Sequence, residues 1–507
     1  MEKNFNLFAH FASQFNTHAN KELLLTHEGE SFSYEDINLL SSRLARTIGE
    51  LGVIVGDRVS VQVQKSPAAL ALYLACLRGG FVFHPLNTGY QTSELAYFFS
   101  NAKPSIIICD QQNLNSIQEL AAKTNVAHVF TLNSNNQGTL IEQSKNISNA
   151  PILVDRSQDD IAALLYSSGT TGLPKGIMLS HGNLLSNAKA LTESWEFTKD
   201  DCLLHALPIF HVHGLFVALG CVLLSGANMI WLDSFNSNEV ITHLPNTTVM
   251  MGVPTFYTRL LDNKRFSKKV CGNVRLFISG SAPLLEETFK SFELKTGHCI
   301  LERYGMTETN MNTSNPYSGL RKPGTVGMPL PGVELRVVNN SNEIIANNEV
   351  GNLQVRGANV FIGYWQMPEK TANDFTDDGY FNTGDKGFID NDGYITIVGR
   401  TKDLVITGGL NVYPKEIEIV LDSIPGIAET AVIGVPHNDF GEAVVAVAVV
   451  DDTHTMNELE IIDLAKKSLA NFKVPKSVQF VDELPRNTMS KVQKNKLRET
   501  YKTLFQT

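Results

Sequence analysis

A loop rich in glycine and hydroxyl side chains, at residues 166–176, constrains the fold of this chain more than any other feature. The apolar run at 161–165 precedes it and predicts that the loop follows a buried β-strand. Glycines let backbone amides turn toward an anion, Ser and Thr hydroxyls add donors, and Lys175 adds a positive charge. We therefore expect a polyphosphate site at the end of a strand.

Two other interpretations of this loop fit its residues less well. A Walker A loop needs a second glycine where Pro174 stands, and a Ser or Thr where Gly176 follows Lys175. A flexible Ser/Gly linker is the other alternative, but a Pro-Lys-Gly ending after a buried strand is not linker composition.

Helix-like and strand-like segments alternate over the first 400 residues. Residues 59–63 alternate as a strand does, residues 69–77 look helical, and short apolar runs follow at 105–109 and 129–132. This rhythm predicts an α/β fold with parallel sheets covered by helices.

The pattern changes near residue 400, where a turn-rich β-like stretch gives way to a compact α+β pattern. We predict an N-terminal domain at 1–398, a hinge at 399–403 and a C-terminal domain at 404–507. About a hundred residues are enough for such a small domain.

The chain of 507 residues carries 42 Lys and Arg against 52 Asp and Glu, a net charge of −10. An acidic chain is a poor nucleic-acid binder, because phosphate contacts need clustered Lys and Arg. Six scattered cysteines without a CxxC pair argue against a disulfide framework and a cysteine zinc site. The sequence shows no apolar run long enough to span a membrane and no targeting segment, so we expect a cytosolic location.

Further short motifs follow the loop in a fixed order. They lie at 279–283 (Ser-Gly-Ser-Ala-Pro), 304–308 (Tyr-Gly-Met-Thr-Glu), 380–385 (Tyr-Phe-Asn-Thr-Gly-Asp), 399–403 with 407–409, and 485–491 (Pro-Arg-Asn-Thr-Met-Ser-Lys). Together they resemble, over nearly the whole chain, the acyl-adenylate-forming superfamily of acyl-CoA synthetases, peptide-synthetase adenylation domains and luciferases. The resemblance implies a large N-terminal domain of parallel sheets flanked by helices, with a small β-barrel, and a small mobile α+β C-terminal domain.

The resemblance also implies a nucleotide site. Its residues are Ser167, Ser168, Gly169, Thr170, Thr171, Gly172, Lys175, Gly280, Ser281, Ala282, Pro283, Tyr304, Gly305, Met306, Thr307, Asp385 and Arg400. Asp385 would accept hydrogen bonds from ribose hydroxyls, which suits an acceptor-only carboxylate, and Arg400 would add a ribose contact.

The implied reaction brings two anions together, because a carboxylate attacks the α-phosphate of ATP and releases pyrophosphate. Cations and hydrogen-bond donors must offset that repulsion. The resemblance assigns Lys491 to bridge the carboxylate and the α-phosphate, and Glu308 to hold Mg²⁺ as a hard oxygen ligand. The resemblance implies three catalytic residues, Lys491, Glu308 and Thr171. Thr171 and Thr307 would donate hydrogen bonds to phosphate oxygens.

A second half-reaction follows, in which the thiol of CoA attacks the acyl carbon and AMP leaves. Gly408 and Gly409 match the loop beside the pantetheine tunnel, and Lys402 matches the hinge about which the C-terminal domain rotates. A solvated surface lysine is the alternative for Lys402. Ser490 stands where the family usually has glycine, and we expect the loop to tolerate it.

Four segments resemble the malonyl-CoA synthetase subfamily rather than the superfamily at large. They are residues 302–317, 408–414, 436–441 and 484–489. A dicarboxylic acid would place a second carboxylate deep in the acyl pocket, where an arginine fork is its natural partner. The resemblance places Arg303, Arg259, Ser281 and His211 at that position.

Alternatives stay open for these side chains. Arg259 would otherwise be a helix-surface charge, Arg303 a member of a structural ion pair, and His211 a core histidine. His205, His211 and His213 lie close in sequence, but no nearby acidic or cysteine ligand completes a zinc site.

The sequence therefore predicts an ATP-dependent malonate–CoA ligase that uses ATP, Mg²⁺ and CoA, with small-molecule partners, no nucleic acid and no membrane span. Another short-chain, medium-chain or fatty acyl-CoA synthetase and a carrier-protein-loading adenylation enzyme remain alternatives. The sequence lacks the signatures of a phosphoryl-transfer enzyme and the GxSxG motif of a serine hydrolase. Its acyl-pocket residues do not support a luciferase-like oxidase. The oligomeric state stays open.

Overall fold

The computed structural model describes residues 4–167, 174–407, 410–437, 440–451, 456–469, 471–487 and 491–505. The described helices are α1 (Leu7–Thr17), α2 (Tyr34–Glu50), α3 (Pro67–Gly79), α4 (Thr92–Ala102), α5 (Leu114–Lys123), α6 (Thr139–Ser144), α7 (His181–Ser194), α8 (Leu219–Ser225), α9 (Ser237–His243), α10 (Pro254–Asp262), α11 (Glu286–Thr296), α12 (Pro368–Asp374), α13 (Pro414–Asp422), α14 (Glu458–Ala465) and α15 (Lys494–Tyr501).

The described strands are β1 (Glu22–Thr26), β2 (Ser31–Ser33), β3 (Arg58–Gln62), β4 (Val82–Pro85), β5 (Ile106–Cys109), β6 (His128–Thr131), β7 (Ile161–Ser167), β8 (Lys175–Ser180), β9 (Cys202–His205), β10 (Asn228–Trp231), β11 (Val249–Gly252), β12 (Leu276–Ser279), β13 (Leu301–Met306), β14 (Asn310–Ser314), β15 (Met328–Pro329), β16 (Val333–Val338), β17 (Gly351–Gly357), β18 (Gly363–Tyr364), β19 (Phe381–Ile389), β20 (Ile395–Arg400), β21 (Val405–Thr407), β22 (Leu410–Val412), β23 (Ile427–His437), β24 (Gly441–Val450) and β25 (Ser477–Phe480).

Two large sheets carry the N-terminal part of the chain. The first has nine strands in the order β15-β14-β13-β12-β11-β9-β10-β1-β2, and the second has seven in the order β18-β8-β7-β4-β3-β5-β6. Their central strands pair in parallel, as in β11 with β12 and β3 with β4, whereas β13 with β14 and β7 with β8 are antiparallel. The predicted α/β class with parallel sheets is confirmed.

Helices cover these sheets as the apolar pattern requires. Every residue of α3 is buried, and Ser66 caps the helix by accepting a hydrogen bond from the amide of Ala69. Helix α2 begins with a capping box, in which Asp36 N donates to Ser33 Oγ at 3.1 Å and Ser33 N donates to Asp36 Oδ2 at 2.8 Å. None of the described helices is long and apolar enough to cross a membrane.

Two smaller sheets follow. The turn-rich β-like stretch before residue 400 folds as part of a four-stranded antiparallel sheet, β16-β17-β19-β20. Strand β20 ends at Arg400, and the next sheet, β22-β21-β24-β23 with β25 on β24, begins at Val405. The change of sheet coincides with the predicted hinge at 399–403, and the domain boundaries themselves stay a prediction.

Candidate functional site

The predicted phosphate loop closes a hairpin between β7 and β8, whose last paired residues are Ser167 and Lys175. The strand that the apolar run predicts before the loop is therefore present. The side chain of Ser167 and the whole of Ser168, Gly169, Thr170, Thr171 and Gly172 lie outside the described residues. The Lys175 ammonium lies 4.8 Å from the ring centroid of Tyr364, a cation–π contact that the sequence does not suggest.

Helix α4 fastens both ends of this loop. The Tyr97 hydroxyl donates to the carbonyl oxygen of Pro174 at 2.7 Å, after the loop. The Tyr166 hydroxyl donates to Asn101 Oδ1 at 2.5 Å, before the loop. Tyr97 and Asn101 are four residues apart, which puts them on one helix face. Sequence reasoning missed this anchor because the contact joins distant segments.

The motif at 304–308 covers the end of β13 and the start of the turn that leads to β14. A Cβ at Gly305 would lie 1.9 Å from the carbonyl oxygen of Asn310, so only glycine fits there. Met306 ends β13 and Thr307 begins the turn. The turn buries Glu308, and burial raises the pKa of its carboxyl group. The Tyr364 hydroxyl donates weakly to Glu308 Oε1, at 3.4 Å.

Glu308 therefore offers a buried carboxylate with little internal pairing. One carboxylate together with substrate phosphates is the coordination that Mg²⁺ prefers in nucleotide sites. No cluster of three or more His, Cys, Asp or Glu side chains suitable for a metal occurs in the described part of the chain. The residues present fit a magnesium ion that is held jointly with a nucleotide.

A second buried carboxylate, Asp385, is fully paired. The Tyr304 hydroxyl donates to Asp385 Oδ2 at 2.5 Å, and Arg400 Nε lies 3.0 Å from Asp385 Oδ1. The charge of Asp385 raises the pKa of Arg400, and burial followed by the same charge raises that of Tyr304. We call Asp385, Tyr304 and Arg400 the ribose-side group, after the role that the resemblance predicts.

The loop that follows β12 carries Gly280, Ser281, Ala282 and Pro283. Ser281 has a φ of +73°, an uncommon conformation for a residue with a side chain. The amide of Leu284 donates to Glu302 Oε1 at 3.0 Å, which fastens the end of the loop. Burial raises the pKa of Glu302 to about 8, and its Oε2 has no partner within the described chain. No sequence motif predicts a role for Glu302 beyond its place in the segment 302–317.

Arg303, the neighbour of Glu302, is buried and incompletely paired. Its side chain is 3% exposed, and neither Nε nor Nη2 has a hydrogen-bond partner among the described residues. Burial lowers the pKa of Arg303 to about 9, which leaves the guanidinium charged at pH 7. A Cβ at Gly280 would lie 2.4 Å from Arg303 Cζ, so glycine makes room for the guanidinium.

Two histidines lie beside this guanidinium. Burial lowers the pKa of His211 to about 3, with further lowering by the charges of Lys491 and Arg303. Burial and Arg303 lower the pKa of His213 in the same direction, so both rings are neutral at pH 7. Ser281 Oγ and His213 Nδ1 are 3.4 Å apart. We call Arg303, His211, His213 and Ser281 the acid-side group.

Arg259, the other arginine that the resemblance implies for the acid, differs from Arg303 in its exposure. Arg259 lies in the last turn of α10 with its side chain exposed, whereas Tyr257 and Leu260 face the core. The helical period predicts the exposure of Arg259, because Pro254 begins the helix and the apolar positions three residues apart define its buried face. Its substrate role stays a prediction.

Lys491 lies between the two groups. Its side chain reaches solvent, but the surrounding protein desolvates the ammonium and lowers its pKa to about 8. Arg400 adds to that lowering, while the charges of Asp385 and Glu308 oppose it. Asn487 turns the segment, since the amide of Lys491 donates to Asn487 Oδ1 at 3.0 Å. Residues 488–490, with Ser490, lie outside the described chain.

The predicted hinge is a short 3-10 turn, Thr401–Asp403. The Lys402 side chain is exposed, but the surrounding protein desolvates its ammonium and, together with the charge of Arg400, lowers its pKa to about 8. Arg498 of α15 donates to Asp403 Oδ1 at 2.7 Å, which ties the turn to the C-terminal sheet layer. Gly408 and Gly409, the predicted CoA-binding residues, lie outside the described residues.

The fold is that of an adenylate-forming enzyme, with two large sheets, a small C-terminal sheet and a cluster of buried charged groups. The family described as AMP-binding enzyme matches residues 11–365, and the AMP-binding enzyme C-terminal domain matches residues 416–491. The chain belongs to the AMP-binding enzyme family. A malonate–CoA ligase of Arabidopsis thaliana is 34% identical over 93% of this chain and 85% of the relative.

Solved structures agree with this assignment. ATP-bound MatB from Rhodopseudomonas palustris is 51% identical, with a TM-score of 0.96 over 99% of this chain and 100% of that chain. The apo form of the same protein has the same identity and coverage but a TM-score of 0.85. The present structure therefore resembles the ATP-bound arrangement more than the apo one.

Proposed function

We propose that this protein is an ATP-dependent malonate–CoA ligase. It forms malonyl-AMP and pyrophosphate from malonate and ATP, and then malonyl-CoA and AMP from malonyl-AMP and CoA. The observation that carries the proposal is the buried guanidinium of Arg303, with Nε and Nη2 unpartnered beside two neutral histidines. The Arabidopsis thaliana relative, described as a malonate–CoA ligase, supports it.

The acid-side group favours a second carboxylate over an alkyl chain. An unpaired buried cation is costly, and two free N–H groups of one guanidinium suit a carboxylate. The two histidines are neutral, so within the acid-side group the positive charge that attracts the anion comes from Arg303. A fatty acid would leave Arg303 unpaired against its methylene groups, whereas malonate would satisfy it.

Lys491 supports the first half-reaction by its position. The charges that act on it come from Arg303 on the acid side and from Asp385, Arg400 and Glu308 on the nucleotide side. An ammonium at that place can contact both the reacting carboxylate and the α-phosphate, and so reduces their mutual repulsion. The carboxylate oxygen attacks phosphorus, and pyrophosphate leaves with the electron pair of the broken P–O bond.

The second half-reaction needs the acyl carbon to be free of Lys491. We propose that the C-terminal part of the chain rotates about the turn that contains Lys402, so that the thiol of CoA can approach. The difference between the TM-scores to ATP-bound and apo MatB, 0.96 and 0.85, supports movement within this architecture. Mg²⁺ held by Glu308 and the ATP phosphates would neutralise phosphate charge.

A panel of acids tests this function. Pyrophosphate release would be measured with ATP, Mg²⁺ and either CoA or no thiol, for acetate, malonate, methylmalonate, succinate and octanoate. We expect malonate to have the highest kcat/KM, and methylmalonate to differ by about 10- to 200-fold at most, since one methyl group changes binding only modestly. Acetate or octanoate in first place would overturn the malonate assignment.

Two further arms address the remaining alternatives. Replacing CoA by a phosphopantetheinyl carrier protein separates a CoA ligase from a carrier-loading enzyme, and we expect product with CoA only. Cell fractionation tests the cytosolic location, which we retain as a proposal together with small-molecule partners.

A further inference from the structure

Lys65 is a buried lysine with an uncommon set of contacts. It follows β3 of the seven-stranded sheet, and its ammonium reaches the ends of β9 and β10 in the nine-stranded sheet. Nζ donates to the carbonyl oxygens of His205 at 2.7 Å and Leu232 at 2.6 Å, and lies 2.8 Å from His205 Nδ1. It also lies 4.2 Å from the centroid of the Trp231 ring. No carboxylate pairs with it in the part of the chain that the structure describes.

The contacts fix the protons on both side chains. His205 Nε2 lies 3.0 Å from the carbonyl oxygen of Gly214, which can only accept, so Nε2 carries the hydrogen. Burial keeps the ring neutral, so Nδ1 is an acceptor. Lys65 then faces three acceptors and needs all three hydrogens of an ammonium group. Burial lowers the pKa of Lys65 and the charge of Asp233 opposes that lowering, while the three acceptors around Nζ require an ammonium group.

The hydrogen bonds continue toward the acid-side group. Gly214 is the second residue of a π-helical turn, His213–Ala218, and a Cβ there would lie 2.1 Å from the carbonyl oxygen of Pro208. The segment 208–214 is thus folded tightly on itself. The ring of His205 fixes one end of this segment, and His211 and His213 lie within it.

We propose that Lys65 is a positioning residue of the acid site, which acts through His205 on the segment 208–214 that carries His211 and His213. This inference rests on the proposed function, because the acid site is the malonate site of that proposal. The ammonium and the Gly214 carbonyl together fix the tautomer of His205. His205 in turn holds the Gly214 carbonyl, and with it the segment in which His213 meets Ser281. Lys65 itself does not contact the substrate.

A purely structural role, a staple between the two large sheets, is the competing interpretation. Arg78 provides a matched comparison, because it is also a buried cation bound to carbonyl oxygens. It donates to the carbonyl oxygens of Ile152 at 3.1 Å and Asn38 at 2.8 Å, and its guanidinium lies 4.0 Å from the ring centroid of Phe8. Arg78 is bound to α2 and to the segment before β7, with no hydrogen bond to the segment 208–214 among the described residues.

The test compares Lys65→Met with Arg78→Met in the full-length chain. We expect both substitutions to lower the Tm. Lys65→Met should also raise the KM for malonate about tenfold, with the KM for ATP within about threefold of wild type, because a buried hydrogen-bond chain is broken on the acid side only. Arg78→Met should leave both KM values within about twofold. Equal KM values for Lys65→Met and wild type would overturn the inference.

Substitutions of His205 test the chain itself and keep the proposal testable if Lys65→Met fails to fold. His205→Gln retains an acceptor toward Lys65 and a donor toward Gly214, so we expect its KM for malonate near that of wild type. His205→Leu should raise it as Lys65→Met does, and the double variant should add little, since both changes break one chain. Additive effects, or equal values for Gln and Leu, would overturn it.

The acid panel on the wild type separates the two proposals. If another acid leads, the malonate assignment fails, and the variants are then compared with that acid. If malonate leads and the KM of Lys65→Met is unchanged, only the positioning role fails.

Discussion

Charges of the ribose-side group and of the acid-side group both act on Lys491, but the two groups differ in how their charges are paired. Asp385 receives a 2.5 Å hydrogen bond from Tyr304 and a 3.0 Å contact from Arg400. Arg303 has two nitrogens without a partner in the described chain, and its neighbouring histidines are neutral. The first group is electrostatically complete by itself, and the second is not.

The difference indicates what each group recognises. A paired carboxylate still has lone pairs for neutral hydroxyls, and its geometry is fixed before the ligand arrives. An unpaired buried cation keeps its desolvation cost until an anion joins it. We therefore propose that nucleotide recognition rests on preset geometry and that acid recognition rests on charge.

Lys491 connects the two groups, so its loss should have the largest effect. Lys491→Ala should lower malonyl-AMP formation by about a thousandfold or more, because both anions lose their shared cation. Thioester formation from synthetic malonyl-AMP and CoA should stay within about tenfold of wild type. Pyrophosphate release and single-turnover assays measure the two steps. Lys496→Ala, an exposed lysine on α15, is the control, and equal loss of both steps would contradict the role.

Asp385→Asn tests the ribose side alone. The substitution keeps the shape but weakens the pair with Arg400, and we expect the KM for ATP to rise about 10- to 100-fold. The rise should be the same whichever acid is present. The measurement is KM for ATP with malonate and with methylmalonate. A change in the preference between those acids would show that the two groups are not independent.

Gly280→Ala tests the space that Arg303 occupies. A methyl group 2.4 Å from Arg303 Cζ must displace the guanidinium, so we expect kcat/KM for malonate to fall about tenfold. Gly49→Ala is the matched control, because a Cβ there meets nothing within 4 Å. Steady-state kinetics with the two variants measure the effect. A larger change in the KM for ATP than in that for malonate would place Gly280 on the nucleotide side only.

The lowered pKa of Lys491 predicts a pH dependence. Only the protonated ammonium attracts both anions, so kcat/KM for malonyl-AMP formation should fall as the pH rises through about 8. An ordinary lysine would lose its proton near pH 10.4 instead. Initial rates of pyrophosphate release between about pH 6.5 and 9.5 test this. Lys491→Arg should lack the fall, and a flat wild-type profile would contradict the assignment.

Much of the fold could be predicted from local patterns. Residues 59–63 and 129–132 were predicted as strands and match β3 and β6 within one residue at each end. Helix α13 begins at Pro414, a residue type that favours the first helical turn. The motifs at 304–308 and 380–385 meet through Tyr304 and Asp385, as their common nucleotide role suggests.

The contacts that complete the site could not be predicted in the same way. Lys65 and His205 are separated by 140 positions, and no local pattern marks a lysine that crosses from one sheet to another. The fit of Gly280 around Arg303 depends on the packing of a loop against the neighbouring strand. The helical period accounts for the exposed position of Arg259, and the contact with the acid that the resemblance implies for it stays a prediction.

The central claim is that charge on Arg303 selects the acid. The most direct measurement is the ratio of kcat/KM for malonate to that for propanoate, which has a methyl group in place of the second carboxylate. We expect Arg303→Ala to lower this ratio about a hundredfold or more, since the second carboxylate of malonate loses its partner. Arg265→Ala, which removes an exposed arginine outside both groups, should leave the ratio within about threefold. An unchanged ratio in Arg303→Ala, with both acids slowed equally, would contradict the account.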